Sequence, residues 1–149
     1  MSRPIGRILA LDLGTRRIGI AVSDELGILA RGLDTLIRSN KRADLEVLNR
    51  IAMEHQVRLI LLGNPLRLSG EAGSQSDWAR KFGDDLQART ELPVELVDER
   101  LTSAAAAEVL RGKRIHIKDR KAAIDRMAAI ILLQGYLDAH PVSIIEHHL

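Results

Sequence analysis

The chain has 149 residues, with 22 Lys+Arg against 20 Asp+Glu for a net charge of +2, and it is 46% hydrophobic and 28% charged. That is the size and make-up of one compact domain and not of a disordered segment. It holds no cysteine and only three aromatic residues, Trp78, Phe82 and Tyr136, which excludes a disulfide scaffold, a thiolate metal site and a cysteine nucleophile, and argues against a platform of several rings for stacking bases.

Residues 8–13 and 18–23 read as short apolar strands joined by Gly14-Thr15-Arg16-Arg17, a hairpin signal. A turn at 24–27 leads to a third strand over 28–37, expected at an edge with Arg31 and Arg38 in solvent. Ser39-Asn40 offers an N-cap for a helix to about His55, with Leu45, Leu48, Ile51 and Ala52 at helical spacing. A buried strand over 58–62 closes at Gly63-Asn64-Pro65, and a polar, glycine-rich loop covers 69–76. A helix capped at Ser76 or Asp77 runs to about Arg89, and its Trp78, Phe82 and Leu86 are most simply core residues on one face. A buried strand over 93–97, a helix over 102–110, a basic loop and a long helix over 119–139 follow, stopped by Pro141. The tail 141–149 is expected to be poorly ordered. This order implies a single α/β domain over 1–149, a mixed sheet of three antiparallel meander strands and then parallel strands, flanked by helices.

The small net charge conceals an uneven distribution. Residues 111–121 hold six Lys/Arg and one Asp, net +5, leaving −3 for the rest of the chain. A basic strip on a slightly acidic body suggests a localised anionic partner such as nucleic-acid phosphate. The candidate contacts are Arg111, Lys113, Arg114, Lys118 and Lys121, with His116 among them. His55, His140, His147 and His148 are scattered or terminal and are expected at the surface. No stretch reaches the roughly 18 apolar residues of a spanning helix, and no secretory signal is distinct. We therefore expect a soluble, cytoplasmic protein without a membrane partner.

Three carboxylates stand where packing alone would not put them. Asp12 interrupts the apolar first strand, where an unpaired buried acid is costly. Asp98-Glu99 stands at the carboxyl end of a buried strand, the place where open α/β sheets hold ligands. Asp125 projects from the helix face that carries Ala128, Ala129 and Leu132. Each has a plainer reading: Asp12 could accept from the Gly14 and Thr15 amides, Asp98 or Glu99 could pair with Arg100 or cap a helix, and Asp125 could pair with Lys121 or Arg126. Together they favour a shared cation, and an oxygen-rich, sulfur-free set suits Mg²⁺ or Mn²⁺ completed by substrate phosphates. Gly14 and Gly19 have a P-loop-like spacing, but Ile20-Ala21 replaces the Lys-Ser/Thr that holds phosphate.

Asp12-Leu-Gly-Thr, Ile-Gly-Ile-Ala-Val at 18–22, Gly63-x-Pro65-Leu66 with Gly70, Asp98-Glu99-Arg100-Leu101-Thr102, and Ile124-Asp125-x-x-Ala128-Ala129 resemble the YqgF family, in order and across nearly the whole chain. These RuvC-related proteins are also called RuvX and are associated with pre-16S rRNA processing and with Holliday junction resolution. The resemblance implies a ribonuclease-H-like fold in which Asp12, Glu99 and Asp125 bind divalent metal, with Asp98 in reserve. Asn64 departs from the apolar residue more usual in the family, which should alter loop packing and leave the acids intact. The expected function is a hydrolase, an endo- or exonuclease using two Mg²⁺ or Mn²⁺ ions, most simply in 5′-end processing of pre-16S rRNA in ribosome biogenesis and with ribosomal particles as further partners. Resolution of Holliday junctions and a non-catalytic nucleic-acid-binding assembly role are the alternatives, and monomer and homodimer both stay open. An ATPase of the actin and sugar-kinase type shares Asp-x-Gly-Thr but needs well over twice this length.

Overall fold

The computed structural model describes residues 6–64, 74–98 and 117–141. Five strands and three helices appear there in chain order: β1 (Arg7–Leu13), β2 (Arg17–Ser23), β3 (Ala30–Ile37), α1 (Lys41–Glu54), β4 (Val57–Asn64), α2 (Ser74–Thr90), β5 (Val94–Asp98) and α3 (Ile117–Ala139). The strands form one sheet in the order β3-β2-β1-β4-β5. β2 runs antiparallel to β1 and β3, whereas β4 lies parallel to β1 and β5 parallel to β4. The expected meander followed by parallel strands is what forms. The expected helix over 102–110, the loop 69–73 and the tail from 142 fall outside the described residues.

Alternation along β1 explains why it sits at the centre. Leu9, Leu11 and Leu13 enter one cluster with Ile18, Ile20 and Val22 of β2, Ile60 and Leu62 of β4, and Leu48, Ala52, Phe82 and Leu86 of α1 and α2. Ile8 and Ala10 enter the other, with Ala21, Leu61 and the α3 residues Ala129, Leu132, Leu133 and Leu137. Both faces of the strand are thus covered, as its near-continuous apolar run requires. The result is three layers, with α1 and α2 on one side of the sheet and α3 on the other. A buried polar tie closes the start of the β1–β2 pair, where the Ile8 amide donates to Ser23 Oγ at 2.8 Å.

Several boundaries differ from the sequence reading, α3 for example beginning at Ile117 instead of at 119. β4 runs on through Gly63 and Asn64 because β5 supplies register partners for both, Val97 and Asp98. α2 begins at Ser74, ahead of the capping residues expected. β3 begins at Ala30 because Asp24 folds residues 24–29 into a compact turn: its Oδ1 accepts from the Ile28 amide at 2.7 Å, and its carbonyl accepts from Gly27, whose φ of +71° suits glycine. Asn40 caps α1 as expected, its side chain accepting from the Ala43 amide at 2.9 Å.

Ion pairs Arg89–Glu46 and Lys41–Asp85 tie α1 to α2. The hydrogen bond from Arg89 holds the Glu46 carboxyl below its ordinary 4.5, and that from Lys41 does the same for Asp85. A depressed folded pKa stabilises the fold above the ordinary carboxylate range and stops doing so as pH falls through the folded value. Melting temperatures of wild type and Glu46→Gln are therefore expected to differ slightly at neutral pH and to converge in acid, since pairs this exposed contribute little. A larger effect is expected at Gly135. It lies exposed on α3 with nothing within 4 Å of a Cβ built there, so Gly135→Ala should raise stability by up to about 1 kcal/mol, a melting shift of roughly 2–4 °C.

Candidate active site

Asp12 is the penultimate residue of β1 and stands in register opposite Gly19 of β2. The even positions of β1 and the odd positions of β2 face α3, so Asp12, Arg17 and Gly19 share the side of the sheet occupied by Ala10 and Ala21. Gly19 is where α3 comes closest: a Cβ built on it would lie 2.0 Å from the Asp125 carbonyl oxygen. Only hydrogen fits there. The absence of a side chain on β2 therefore lets the helix backbone at Asp125 settle directly beside the register partner of Asp12. Gly32 of β3 extends the same contact, its missing Cβ being replaced by Arg126 Cγ at 2.6 Å and Ile130 Cδ1 at 2.9 Å.

The half-buried Asp125 pairs with a residue far along the chain, and Arg126, one of the partners its own helix suggested, is engaged elsewhere. Arg17 Nε donates to its Oδ2 at 2.7 Å, with side-chain exposures of 31% and 24%. Arg126 turns away to the Leu33 carbonyl at 3.1 Å and to Asp34. The sequence reading missed Arg17 by treating it as part of a turn. The usable signal was parity, since Arg17, Gly19 and Ala21 alternate onto one face. The turn itself is closed by the Gly14 amide donating to the Arg17 carbonyl at 2.9 Å.

On the other side of the same turn, Arg38 is not solvated as expected. Its Nη1 donates to the Gly14 carbonyl at 3.0 Å and its Nε to the buried Asp44 at 3.4 Å. The guanidinium carbon stands 4.7 Å from the Trp78 ring centroid and 5.4 Å from that of Phe82. Phe82 and Leu86 are core residues as expected, but Trp78 is 36% exposed. It lies one turn nearer the start of α2, where Arg38 rather than an apolar side chain covers it.

β5 brings Val97 and Glu95 to the α3 side, where Val97 joins the second cluster and the Tyr136 hydroxyl donates to Glu95 Oε2 at 3.2 Å. Asp98 ends the strand in register with Asn64. Glu99, Arg111, Lys113, Arg114 and His116 lie outside the described residues, and Lys118 and Lys121 are placed only as backbone within α3. His55 and His140 are half-buried instead of at the surface, the His140 ring stacking on Tyr136 at 4.1 Å. Among the described residues no three His, Asp or Glu side chains form a group able to hold a metal ion. What the described part supplies is two carboxylates on one side of the sheet, hard oxygen donors of the kind suited to Mg²⁺ or Mn²⁺. None of the described helices is long and apolar enough to cross a membrane.

The family profile RuvX, described as Holliday junction resolvase, matches residues 6–139. The chain belongs to this family. A Koribacter versatilis relative named "Putative pre-16S rRNA nuclease" is 51% identical over 133 residues, spanning 89% of this chain and 87% of its own. One of the same name from Myxococcus xanthus is 42% identical over 142 residues, 95% and 94% of the two chains. Among solved structures, RuvC of Thermus thermophilus in complex with a Holliday junction substrate superposes with a TM-score of 0.52 at 11% identity, covering 90% of this chain and 95% of that one. The fowlpox virus Holliday junction resolvase superposes with a TM-score of 0.54 at 15% identity, covering 89% and 99%. At such identities the likeness speaks for the fold alone, and it bears out the ribonuclease-H-like sheet that the family resemblance implied.

Proposed function

We propose that this chain is a cytoplasmic, metal-dependent nuclease that hydrolyses phosphodiester bonds in structured nucleic acid, its substrate being the 5′ end of pre-16S rRNA. The observation that carries the reading is the seating of α3 on Gly19, which sets Asp125 beside the register partner of Asp12 on one side of the sheet. The 51% identical relative that bears a pre-16S rRNA nuclease name supports the choice of substrate. Asp12 and Asp125 hold divalent metal in this reading, with Glu99 as the third acid. Sequence parity favours Glu99 over Asp98, because Glu95 and Val97, four and two residues earlier, both meet α3. Bound Mg²⁺ or Mn²⁺, as a pair of ions, supplies a metal-activated water and Lewis-acid stabilisation of the leaving oxygen. The chain's own part is to fix the acids on rigid elements and to neutralise Asp125 with Arg17 while no cation is there.

The test is a cleavage assay with Mn²⁺ on two substrates, a 5′-extended pre-16S rRNA fragment and a four-way DNA junction. Cleavage of the RNA at its 5′ extension supports the reading. Cleavage of the junction alone makes the protein a resolvase, and cleavage of neither makes it a binding factor. The basic strip is expected to set affinity rather than turnover. Neutralising Arg111 and Lys113 should weaken binding and flatten its logarithmic salt dependence by about 0.7–0.9 per lost phosphate contact. An unchanged slope would place the nucleic acid elsewhere on the surface.

A further inference from the structure

A groove of about 660 Å³ opens beside the candidate active site, on the α1 and α2 side of the sheet. Thr15 and Arg16 of the β1–β2 turn form one wall, Ser39 and Lys41 at the start of α1 another, and Arg38 and Trp78 line it as well. The turn joins the groove to the site, because Arg17, the residue after Arg16, pairs with Asp125. Arg38 is paired with Asp44, which also accepts from the Ser39 amide at 3.1 Å, and Lys41 is paired with Asp85, so the exposed Arg16 supplies the net positive charge at the rim. Arg38 covers Trp78 from one side, yet the indole stays 36% exposed. A net positive charge at Arg16 beside a partly open ring suits a nucleic-acid strand, with a phosphate at Arg16 and a base against the ring. Bases stacked inside a duplex have both faces covered, so the arrangement favours an unpaired segment whose bases are free to unstack.

We infer that this groove binds a single-stranded segment of the nucleic-acid substrate as that strand leaves the acidic site across the Gly14–Arg17 turn. The inference rests on the nuclease reading for its ligand class but not on catalysis. The groove takes none of its described lining residues from the 111–121 strip. One stacked base is enough for it, so the scarcity of rings in the chain is no obstacle.

The experiment uses the full chain in EDTA, so that nothing is cleaved, and two fluorescein-labelled RNA hairpins with the same stem, one blunt and one carrying a single-stranded 5′ oligouridine tail. Binding is followed by anisotropy and by the emission of Trp78, the only tryptophan in the protein. The tailed hairpin is expected to bind about tenfold more tightly than the blunt one and to quench Trp78, in line with roughly 5- to 150-fold for a stacked base. Arg16→Glu with Lys41→Glu should bring the ratio of the two affinities towards one, and so should Trp78→Ala. Arg16 is an exposed turn residue whose structural bond is made by its backbone carbonyl, so Arg16→Glu alone keeps the test valid if the other variants fold poorly. Equal binding of the two hairpins, absence of quenching, or a tail preference that survives Arg16→Glu overturns the inference. A tail preference without any cleavage in Mn²⁺ would leave the groove standing and the nuclease reading lost. Cleavage without a tail preference would do the reverse.

Discussion

Asp12→Asn is expected to keep the fold while lowering hydrolysis by on the order of 10³-fold, about 4 kcal/mol of lost transition-state stabilisation. An amide has nearly the shape of the carboxylate but is a poor ligand for a hard cation and brings no charge to balance it. Stability should move the other way. Asp12 and Asp125 share one side of the sheet, and like charges in proximity oppose folding when nothing stands between them. Arg17 already neutralises Asp125, so the expected gain without metal is small, at most about 1 kcal/mol. Adding Mn²⁺ should raise the melting temperature of wild type, since a ligand at 100 times its dissociation constant contributes about 2.7 kcal/mol to the native state. Asp12→Asn should show little of that rise. The decisive measurement is a set of melting curves for both proteins with and without Mn²⁺, beside the cleavage assay. If Asp12→Asn melts well below wild type without metal, Asp12 is a structural hydrogen-bonding residue and the metal reading of this site is lost.

Gly19→Ala is expected to be far more damaging than its single methyl suggests. The new Cβ would meet the Asp125 carbonyl oxygen at 2.0 Å and its carbon at 2.6 Å. Both are backbone atoms of a helix held along its length by Ala129, Leu132, Leu133 and Leu137, so no side chain can swing aside. α3 must lift by more than an ångström or tilt. Overpacking of this kind costs typically 1–3 kcal/mol, and with rigid backbone as the obstacle we expect the upper end, about 3 kcal/mol. Lifting the helix also carries Asp125 away from Asp12. Misplacement by about 1 Å can cost 10²-fold in rate, so cleavage should fall beyond what the loss of folded protein explains. Gly135→Ala on the same helix is the control, because it adds the same methyl into open space. Normal melting and normal cleavage by Gly19→Ala would mean that α3 does not seat on β2 at Asp125.

Much of the architecture was legible in the sequence because the relevant information is local. Alternation in β1 and β2, helical spacing through Leu48 and Ala52, the Asn40 cap and the stop at Pro141 depend only on neighbours along the chain, and each appears as read. Asp12 and Asp125 could be singled out for the same reason, since an acid inside an apolar pattern conflicts with its own surroundings. What local pattern does not contain is the identity of partners brought from far away. Asp125 is 108 residues from Arg17, and nearer arginine and lysine were the natural guesses. Arg38 looked like a solvated edge residue until Asp44, Gly14 and two rings of α2 closed around it. Trp78 shared the spacing of Phe82 and Leu86, yet helical spacing states only that residues line up on one side of a helix. How far along the helix that side remains covered depends on where the neighbouring elements end. Gly19 shows the same division: its lack of a side chain is written in the sequence, but only the packed helix reveals that the vacant space is where Asp125 must sit. Periodicity follows from the geometry of a single element, whereas pairing and close approach follow from how several elements share one core, and only tertiary packing decides that.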